Sequence, residues 1–276
     1  MDTQPQPSDI NVALNSSEAR AALAWLVAMG ADEILLPEPR NAFLSPPPEI
    51  KTVPGAEDKP APGPPQQVAT SSSADEFASL AAAASNLEQL KDSFKLCDIN
   101  GLQRSARSFC FVDADPRARV LILNDRPRTD EERDGGIFSG KQEVLLRAML
   151  KAIGLGFPHQ TEAEPVSLAN MVPWRPPGNR NLIDIEISLC LPFVHKALEM
   201  LQPKLILALG SHPGKYLAAA AESVTQQRGK WLAANAGASE IPMLATFSLH
   251  ELLQFPERKK LAWRDLQQFR ERLDAL

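Results

Sequence analysis

Four short apolar segments, separated by stretches with helical spacing, constrain the fold of this chain more than any other feature. The predicted strands lie at residues 120–123, 166–169, 204–209 and 242–247. Helices are predicted around them at residues 71–84, 87–96, 144–153, 183–201 (started or interrupted near Pro192), 213–221 and 259–273. Short apolar strands that alternate with helices are typical of a parallel sheet with helices on both faces, because such strands are buried on both sides. We therefore predict an α/β domain of three layers, α/β/α, around a central, mostly parallel, four-stranded sheet.

The first 75 residues differ from the rest in composition, and the sequence divides the chain into three parts. Residues 1–44 are predicted to form a helical leader, with an amphipathic helix at 17–29. Residues 45–75 are predicted to be a linker rich in proline and serine, since they contain eight prolines and such segments form stiff spacers without a packed core. The folded domain is expected over residues 76–276.

The distribution of charge bears on whether this chain can bind nucleic acid. The chain has a net charge of −5, but residues 1–75 contain ten Asp or Glu and only four Lys or Arg, so the remainder is close to neutral. A near-neutral domain can still bind DNA when its basic groups share one face.

The cysteines Cys97, Cys110 and Cys190 are too few, and odd in number, for a disulfide framework. With no apolar run of membrane-spanning length and no secretory signal at the start, we expect a cytoplasmic protein without a membrane partner.

The eleven residues Asn-Met-Val-Pro-Trp-Arg-Pro-Pro-Gly-Asn-Arg at 170–180 carry a family resemblance. They resemble the middle motif of the bacterial uracil-DNA glycosylases of the iron–sulfur type, often called family 4. Residues 120–150 resemble the first motif block of that family and residues 246–266 its last, in the same order and with fitting spacing. The resemblance covers about residues 87–273. It implies the uracil-DNA glycosylase fold and a hydrolase of base excision repair that acts on DNA damage.

The resemblance also implies roles for residues at the strand ends. Asp125 replaces the family's glutamate and would orient water or stabilise the cationic sugar, and Phe138 falls on the aromatic residue that stacks on the flipped base. Asn170 would read the uracil edge, because its amide offers one acceptor and two donors. Ser248 occupies the position of a histidine that donates to the uracil O2. His250, two residues later, could compensate only if the loop has a different shape.

Four basic residues are candidates for contact with DNA phosphates. Arg175 and Arg180 lie in the middle motif, and Arg228 and Lys230 belong to an Arg-Gly-Lys-Trp sequence that resembles a further signature of the family. For the second pair, structural packing by the adjacent Trp231 is an equally good interpretation. We expect uracil-containing DNA, single- or double-stranded, as the partner and a monomeric protein.

The iron–sulfur cluster of the resembled family is held by four cysteines, and this chain has two of them. Cys97 and Cys190 match ligand positions, whereas Phe94 and Trp174 stand at the other two. Two thiolates cannot complete a site of four cysteines. We therefore predict no metal and no other cofactor, with aromatic side chains filling the space of the cluster.

Departures from the family pattern leave the activity open. Asn124 and Arg128 replace motif glycines, which let the backbone approach the flipped nucleotide. Losing one oxyanion donor, as at Ser248, costs about 10²–10³ in rate. We interpret the chain as a DNA repair glycosylase with weakened activity on deoxyuridine. Two alternatives stay open: a catalytically inactive protein that binds DNA or uracil-containing DNA on the same fold, and a glycosylase with altered base preference.

Overall fold

The computed structural model describes residues 70–160, 163–220, 223–237 and 239–276. The predicted leader, its amphipathic helix and residues 45–69 of the predicted linker lie outside these ranges. Within the described residues, no helix combines the length and the apolar character needed to cross a membrane.

A seven-stranded sheet forms the centre of the fold. Its strands are β1 (Val112–Asp113), β2 (Val120–Asn124), β3 (Leu155–Gly156), β4 (Glu164–Asn170), β5 (Leu205–Leu209), β6 (Trp231–Ala236) and β7 (Ser239–Thr246). Six of them follow the order β1-β4-β2-β5-β7-β6, and β3 pairs with β4. Strands β4, β2, β5 and β7 are parallel neighbours, whereas β1 and β6 pair antiparallel at the two ends of this order.

The four predicted strands are the four parallel neighbours, so the mostly parallel α/β sheet is confirmed, but the predicted count of four strands is too low. Two of the additional strands, β1 and β3, have only two residues each and leave no periodic signal. The third, β6, is rich in alanine and keeps part of its side chains in solvent, because an edge strand is covered on fewer sides. Weak apolar content and partial exposure explain why the sequence did not indicate it.

Helices cover both faces of the sheet. They are α1 (Thr70–Ala83), α2 (Leu87–Leu96), α3 (Leu102–Ser105), α4 (Thr129–Asp134), α5 (Gly140–Ala152), α6 (Asp184–Leu201), α7 (His212–Leu217), α8 (Val224–Gln227), α9 (Leu249–Gln254) and α10 (Lys259–Asp274). The short helices α3, α4, α8 and α9 were not predicted, because one or two turns are too few for a helical period to appear. The predicted helix at 213–221 ends early, at Leu217.

Side chains of the central strands alternate between two hydrophobic clusters, one on each face of the sheet. In β2, Leu121 and Leu123 belong to the first cluster, and Val120 and Ile122 belong to the second. Helices α1, α2 and α6 contribute to the first cluster, and α5 and α10 to the second. The three-layer α/β/α architecture follows from this alternation.

Helix α6 continues through Pro192, where the sequence predicted a start or a break. A proline inside a helix removes one backbone hydrogen bond and costs about 3 kcal/mol. The helix buries Cys190 and Phe193 on either side of this proline, each with no exposed surface. Burial of a large apolar side chain contributes roughly 1.5–3 kcal/mol, so packing on the sheet offsets the cost and keeps the helix intact.

Helix α1 extends the folded domain beyond its predicted start at residue 76. It begins at Thr70 and packs against α6. Phe77 is buried, and its ring lies 6.4 Å from that of Phe193. The last residues assigned to the linker are therefore part of a helix of the core.

The carboxyl ends of the four parallel strands lie side by side. Asn124, the last residue of β2, is in register with Asn170 of β4 on one side and with Leu209 of β5 on the other. Leu209 is in register with Thr246, the last residue of β7. The segments that follow these four residues therefore meet at one edge of the sheet, where parallel sheets bind their ligands.

Candidate active site

An acidic and an imidazole side chain meet at this edge. Asp125 follows β2, and His212 begins α7 shortly after the neighbouring strand β5. Nδ1 of His212 lies 2.9 Å from Oδ2 of Asp125, and both side chains are largely buried. The carboxylate that the sequence assigned to catalysis thus has an imidazole partner.

Asp125 fits against β5 because residue 210 is a glycine. Gly210 has a φ of 97°, a conformation that favours glycine, and a Cβ atom there would lie 2.7 Å from Oδ2 of Asp125. The second carboxylate oxygen, Oδ1, is buried and has no hydrogen-bond partner among the described residues. Buried polar atoms are nearly always hydrogen-bonded, so an unsatisfied carboxylate oxygen is a candidate contact for water or substrate.

The Asp125 carboxylate raises the pKa of His212, whereas burial and the positive charges of Arg126 and Lys215 act in the opposite direction. The net upward shift favours the protonated imidazole and hence an ion pair. Sequence analysis did not select His212. The signal that could have found it is its place directly behind the third predicted strand, two residues after Gly210.

Asn170, the predicted reader of the base edge, is fully buried and bonded within the protein. Its Oδ1 accepts a hydrogen bond of 2.8 Å from Nδ2 of Asn124, and its Nδ2 donates to the backbone oxygen of Cys110 at 2.7 Å. Asn124 stands where the resembled family has glycine, so the acceptor of Asn170 is occupied by a side chain that a glycine would not provide. The amide oxygen can accept a second hydrogen bond, but Asn170 has no exposed surface, so a base edge reaches it only if neighbouring groups move.

Phe138, the predicted stacking residue, lies in the loop before α5 and belongs to the second hydrophobic cluster. Only 5% of its surface is exposed. The ring therefore packs as a core residue, and it can stack on a flipped base only where the surrounding loop moves aside.

Ser248, at the position of the family's histidine, caps helix α9. Its Oγ accepts a hydrogen bond of 3.3 Å from the backbone nitrogen of Glu251 and donates one of 3.3 Å to Oε2 of the same residue. A serine hydroxyl has a single hydrogen, and here that hydrogen is engaged. Ser248 is thus a helix cap in this structure and not a free donor for a leaving base.

His250 lies in the first turn of α9 and is partly buried. Burial lowers its pKa, and the charges of Arg128 and Arg126 lower it further. These shifts favour the neutral imidazole. The loop that carries His250 follows β7 and the loop that carries Asp125 follows β2, so both lie at the carboxyl edge of the sheet.

Arg126 is a buried cation at the same edge. It is only 7% exposed, and its Nη2 donates to the backbone oxygen of Asn179 at 3.3 Å. Its Nη1 is buried and has no hydrogen-bond partner within the part of the chain that the structure describes. Burial and the neighbouring charge of Arg128 lower its pKa to about 10. A buried guanidinium with an unused donor favours an anionic ligand.

The two arginines of the middle motif bind buried carboxylates. Nε of Arg175 donates to Oε2 of Glu132 at 2.5 Å, and Nη1 of Arg180 donates to Oε2 of Glu186 at 3.0 Å. Glu132 and Glu186 are both buried, so each pair holds the motif loop to the body of the domain. Arg180 keeps 41% of its side chain exposed, which leaves it surface for a phosphate.

The other two predicted DNA contacts differ from each other. Arg228 donates to the backbone oxygen of Leu261 at 2.9 Å and forms an ion pair with the buried Asp265, an arrangement typical of a structural role. Lys230 is exposed and precedes β6. Trp231 stacks on Phe269 with ring centroids 6.0 Å apart, so the packing interpretation applies to the tryptophan.

The residues at the expected iron–sulfur position do not fit such a cluster. Cys97 and Cys190 are buried thiols, and burial raises the pKa of both, to about 11 for Cys97. Phe94 stacks on Phe193 at 4.0 Å and meets Trp174 edge-on at 5.3 Å between centroids. The described residues contain no group of three or more His, Cys, Asp or Glu side chains that could hold a metal ion. No step of the chemistry is therefore assigned to a cluster.

Comparisons with known proteins identify the family to which this chain is similar. The family model described as "Uracil DNA glycosylase superfamily" matches residues 111–267, more than half of the chain. The Type-4 uracil-DNA glycosylase of Sulfurisphaera tokodaii is 28% identical over 67% of this chain and 84% of its own length. The protein of the same name from Saccharolobus solfataricus is 26% identical over 69% of this chain and 88% of its own length. A third, from Thermotoga maritima, is 25% identical over 53% of this chain and 75% of its own length.

Proposed function

The chain belongs to the uracil-DNA glycosylase superfamily, and we propose that it is a DNA repair glycosylase that hydrolyses the N-glycosidic bond of a flipped deoxyuridine. The observation that carries the proposal is Asp125: a carboxylate at the carboxyl edge of the sheet with one buried oxygen that has no partner. The names of its relatives, which are Type-4 uracil-DNA glycosylases, support the same substrate. We further propose that the protein works as a monomer in the cytoplasm, without a cofactor.

In this reaction water adds to C1′ of the deoxyribose while the bond from C1′ to N1 of the base breaks. The electron pair of that bond leaves with the base, and the sugar carries positive charge in the transition state. The ionised Asp125 stabilises this charge and orients the water. As the bond to C1′ forms, the water gives up one proton to solvent, and the departing uracil anion takes up one proton, so the products are neutral uracil and an abasic site. A water that enters the site is expected to bind Oδ1, which has no partner among the described residues, since Oδ2 lies against His212.

The site stabilises the leaving base less well than it stabilises the sugar. The hydroxyl of Ser248 is engaged with Glu251, so the base departs without that donor. Arg126, with its unused Nη1, and the neutral His250 supply a polar, cationic neighbourhood instead. Losing one oriented oxyanion donor costs about 10²–10³ in rate, which supports a glycosylase of weakened activity.

DNA affinity is assigned to the cations that line this edge. Arg126 offers a buried donor, Arg180 is partly exposed and Lys230 is exposed. Arg175 contributes charge although it is paired with Glu132. Phosphate contacts of this kind fix the position of the strand and carry no sequence information.

One observation favours the alternative of a DNA-binding protein without catalysis. The side chain of Asn124 is bonded to the acceptor that would read the base, and Asn170 has no exposed surface. If this bond persists when DNA binds, uracil is not selected, and the site either binds DNA without cleavage or accepts a different base.

A single-turnover assay distinguishes these functions. Single- and double-stranded oligonucleotides with one uracil, thymine, hypoxanthine or cytosine at the same position are incubated with excess protein, and abasic sites are revealed by alkaline cleavage. We expect slow cleavage of the uracil substrates above the background of the uncatalysed reaction. Cleavage of another base in preference to uracil would establish altered specificity, and tight binding without cleavage of any substrate would overturn the enzymatic proposal.

A further inference from the structure

We propose that His212 is a positioning residue for the reaction of Asp125: its imidazole contacts one carboxylate oxygen and fixes the orientation of the carboxylate at the carboxyl edge of the sheet. This inference rests on the proposed function. No motif of the first, middle or last block includes His212, and it reaches the site only through the neighbouring strand.

The geometry around the carboxylate is asymmetric. Oδ2 of Asp125 lies 2.9 Å from Nδ1 of His212 and close to the α-carbon of Gly210, where no side chain could fit. Oδ1 is buried without a partner among the described residues. Nδ1 of His212 likewise forms no hydrogen bond among the described residues, so the contact that restrains Oδ2 is an ionic one. Oδ1 is left as a buried acceptor that a water or a substrate could satisfy.

A restraint of this kind compensates for a shorter side chain. Asp125 stands in place of a glutamate and reaches one methylene less far. Misplacement of a reacting group by about 1 Å can lower a rate by about 10²-fold. Because His212 and Gly210 restrict the orientation of the carboxylate, its distance from the sugar does not depend on a search among side-chain rotamers.

The imidazole is itself held by the protein. His212 is the first residue of α7, and the next residue, Pro213, is buried. Its ring lies nearly parallel to that of Tyr216, with centroids 6.4 Å apart and an angle of 27° between the planes. The position of His212 at the start of α7 and its neighbour Tyr216 limit where the imidazole can lie.

The charged groups around His212 set the pH range in which the pair exists. The titratable and charged side chains that face it are Asp125, Arg126, Asp184, Lys215 and Tyr216. The carboxylate of Asp125 raises the pKa of His212, so the ion pair is present while the imidazole is protonated and is lost when His212 deprotonates at higher pH.

The first experiment follows the pair without any enzymatic reaction. The chain has four histidines, so their imidazole signals can be assigned by substitution and titrated by NMR in the full-length protein. We expect Asp125→Asn to lower the pKa of His212. Asp113→Asn is the matched control, because Asp113 lies 3.0 Å from His159 and its loss should leave the His212 titration unchanged. An unchanged His212 titration in Asp125→Asn would overturn the proposal.

The second experiment measures single-turnover cleavage of uracil-containing DNA against pH. We expect His212→Ala to slow cleavage by up to about 10²-fold, with DNA affinity preserved, and to remove the loss of rate that deprotonation of His212 causes in the wild type at higher pH. His212→Asn, which keeps a donor, should recover part of the rate. His195→Ala is the control, since that imidazole binds the backbone oxygen of Asn235 and lies outside the site.

The outcomes separate this inference from the proposed function. A rate loss in His212→Ala with an unchanged profile shape would indicate a merely structural role and overturn the positioning role. If the wild-type protein cleaves at no pH, the proposed function fails and the positioning role falls with it. The NMR titration would in that case still establish whether the ion pair exists.

Discussion

At the scale of single residues, the amide of Asn170 depends on one neighbour. Asn124 donates to its Oδ1 at 2.8 Å, and a glycine at position 124 would leave that acceptor free. The resemblance of the motif loop indicated which residue should read a base, whereas the bond that blocks it joins two strands and is not written in either motif. The sequence can thus predict which residue should read a base, but it cannot predict whether the hydrogen-bonding atoms of that residue are accessible to the base.

Asn124→Gly should raise the preference for uracil over other bases, in binding or in cleavage, because it frees the acceptor of Asn170. Glycine in a strand costs about 0.5–1 kcal/mol of stability, and Asn235→Gly in strand β6 serves as the control for this backbone effect. Base discrimination is measured by competition between labelled oligonucleotides. A preference equal to that of the wild type would mean that Asn170 is structural, and Asn170→Ala should then also leave it unchanged.

Ser248→His combined with Arg128→Gly should raise the cleavage rate, by up to about 10²-fold if the imidazole reaches the leaving base. The serine caps α9, so its replacement costs about 1 kcal/mol of stability. Ser223→His, at the cap of α8, reproduces the loss of a cap away from the site. If the double variant binds uracil-containing DNA and yet cleaves no faster, the pocket differs by more than one donor and the non-catalytic interpretation gains support.

Arg126→Met should weaken DNA binding and reduce its salt dependence, because the buried guanidinium has an unused donor for an anion. The slope of log K against log salt should fall by about 0.9 for duplex DNA if one phosphate contact is lost. Arg119→Met is the matched control, since Arg119 precedes β2 at the opposite edge of the sheet. Equal slopes for Arg126→Met and the wild type would exclude a phosphate contact at this position.

At the scale of elements, α2 contributes a stacked aromatic ring where the resembled family has a cluster ligand. Phe94 has no exposed surface and packs on Phe193 and Trp174. The sequence predicted that aromatic side chains fill this space, because two cysteines are missing from the pattern. The stacking partner Phe193, which lies on α6, could not be identified before the helices were placed.

Phe94→Ala should destabilise the domain by about 3–5 kcal/mol, the cost of removing a fully buried ring. Leu96→Ala is a suitable control, because Leu96 lies on the same helix and is 87% exposed, and it should change stability by less than about 0.5 kcal/mol. Urea denaturation followed by circular dichroism measures both. A small effect of Phe94→Ala would contradict the interpretation that packing replaces the cluster, as would stoichiometric iron in protein purified without oxygen.

In the molecule as a whole, the first described helix, α1, begins at Thr70 and packs against α6. Deletion of residues 1–69 should leave a folded protein with nearly the same melting temperature, since α1 and both hydrophobic clusters are retained. Deletion of residues 1–83 removes α1, including the buried Phe77 and Ala81, and should lower the melting temperature by several degrees per kcal/mol lost. A large effect of the shorter deletion would mean that the leader stabilises the domain.

The parallel strands, the layer order and the strand-end residues could be predicted because each is encoded in a local run or motif. The pair of Asp125 and His212 depends on β2 and β5 becoming neighbours, and the cap at Ser248 depends on α9 forming. The ion pairs of Arg175 and Arg228 join distant segments. Contacts of this type arise from the tertiary arrangement, and no local pattern indicates them.

The most direct test of the account is release of free uracil by wild-type protein and by Asp125→Asn under single-turnover conditions. Product is detected by mass spectrometry, and binding of the same uracil-containing DNA is measured in parallel. We predict that the wild type releases one uracil per strand, whereas Asp125→Asn binds the DNA with nearly the same affinity and releases none above background. Equal release by both proteins, or none by the wild type, would contradict a reaction centred on Asp125.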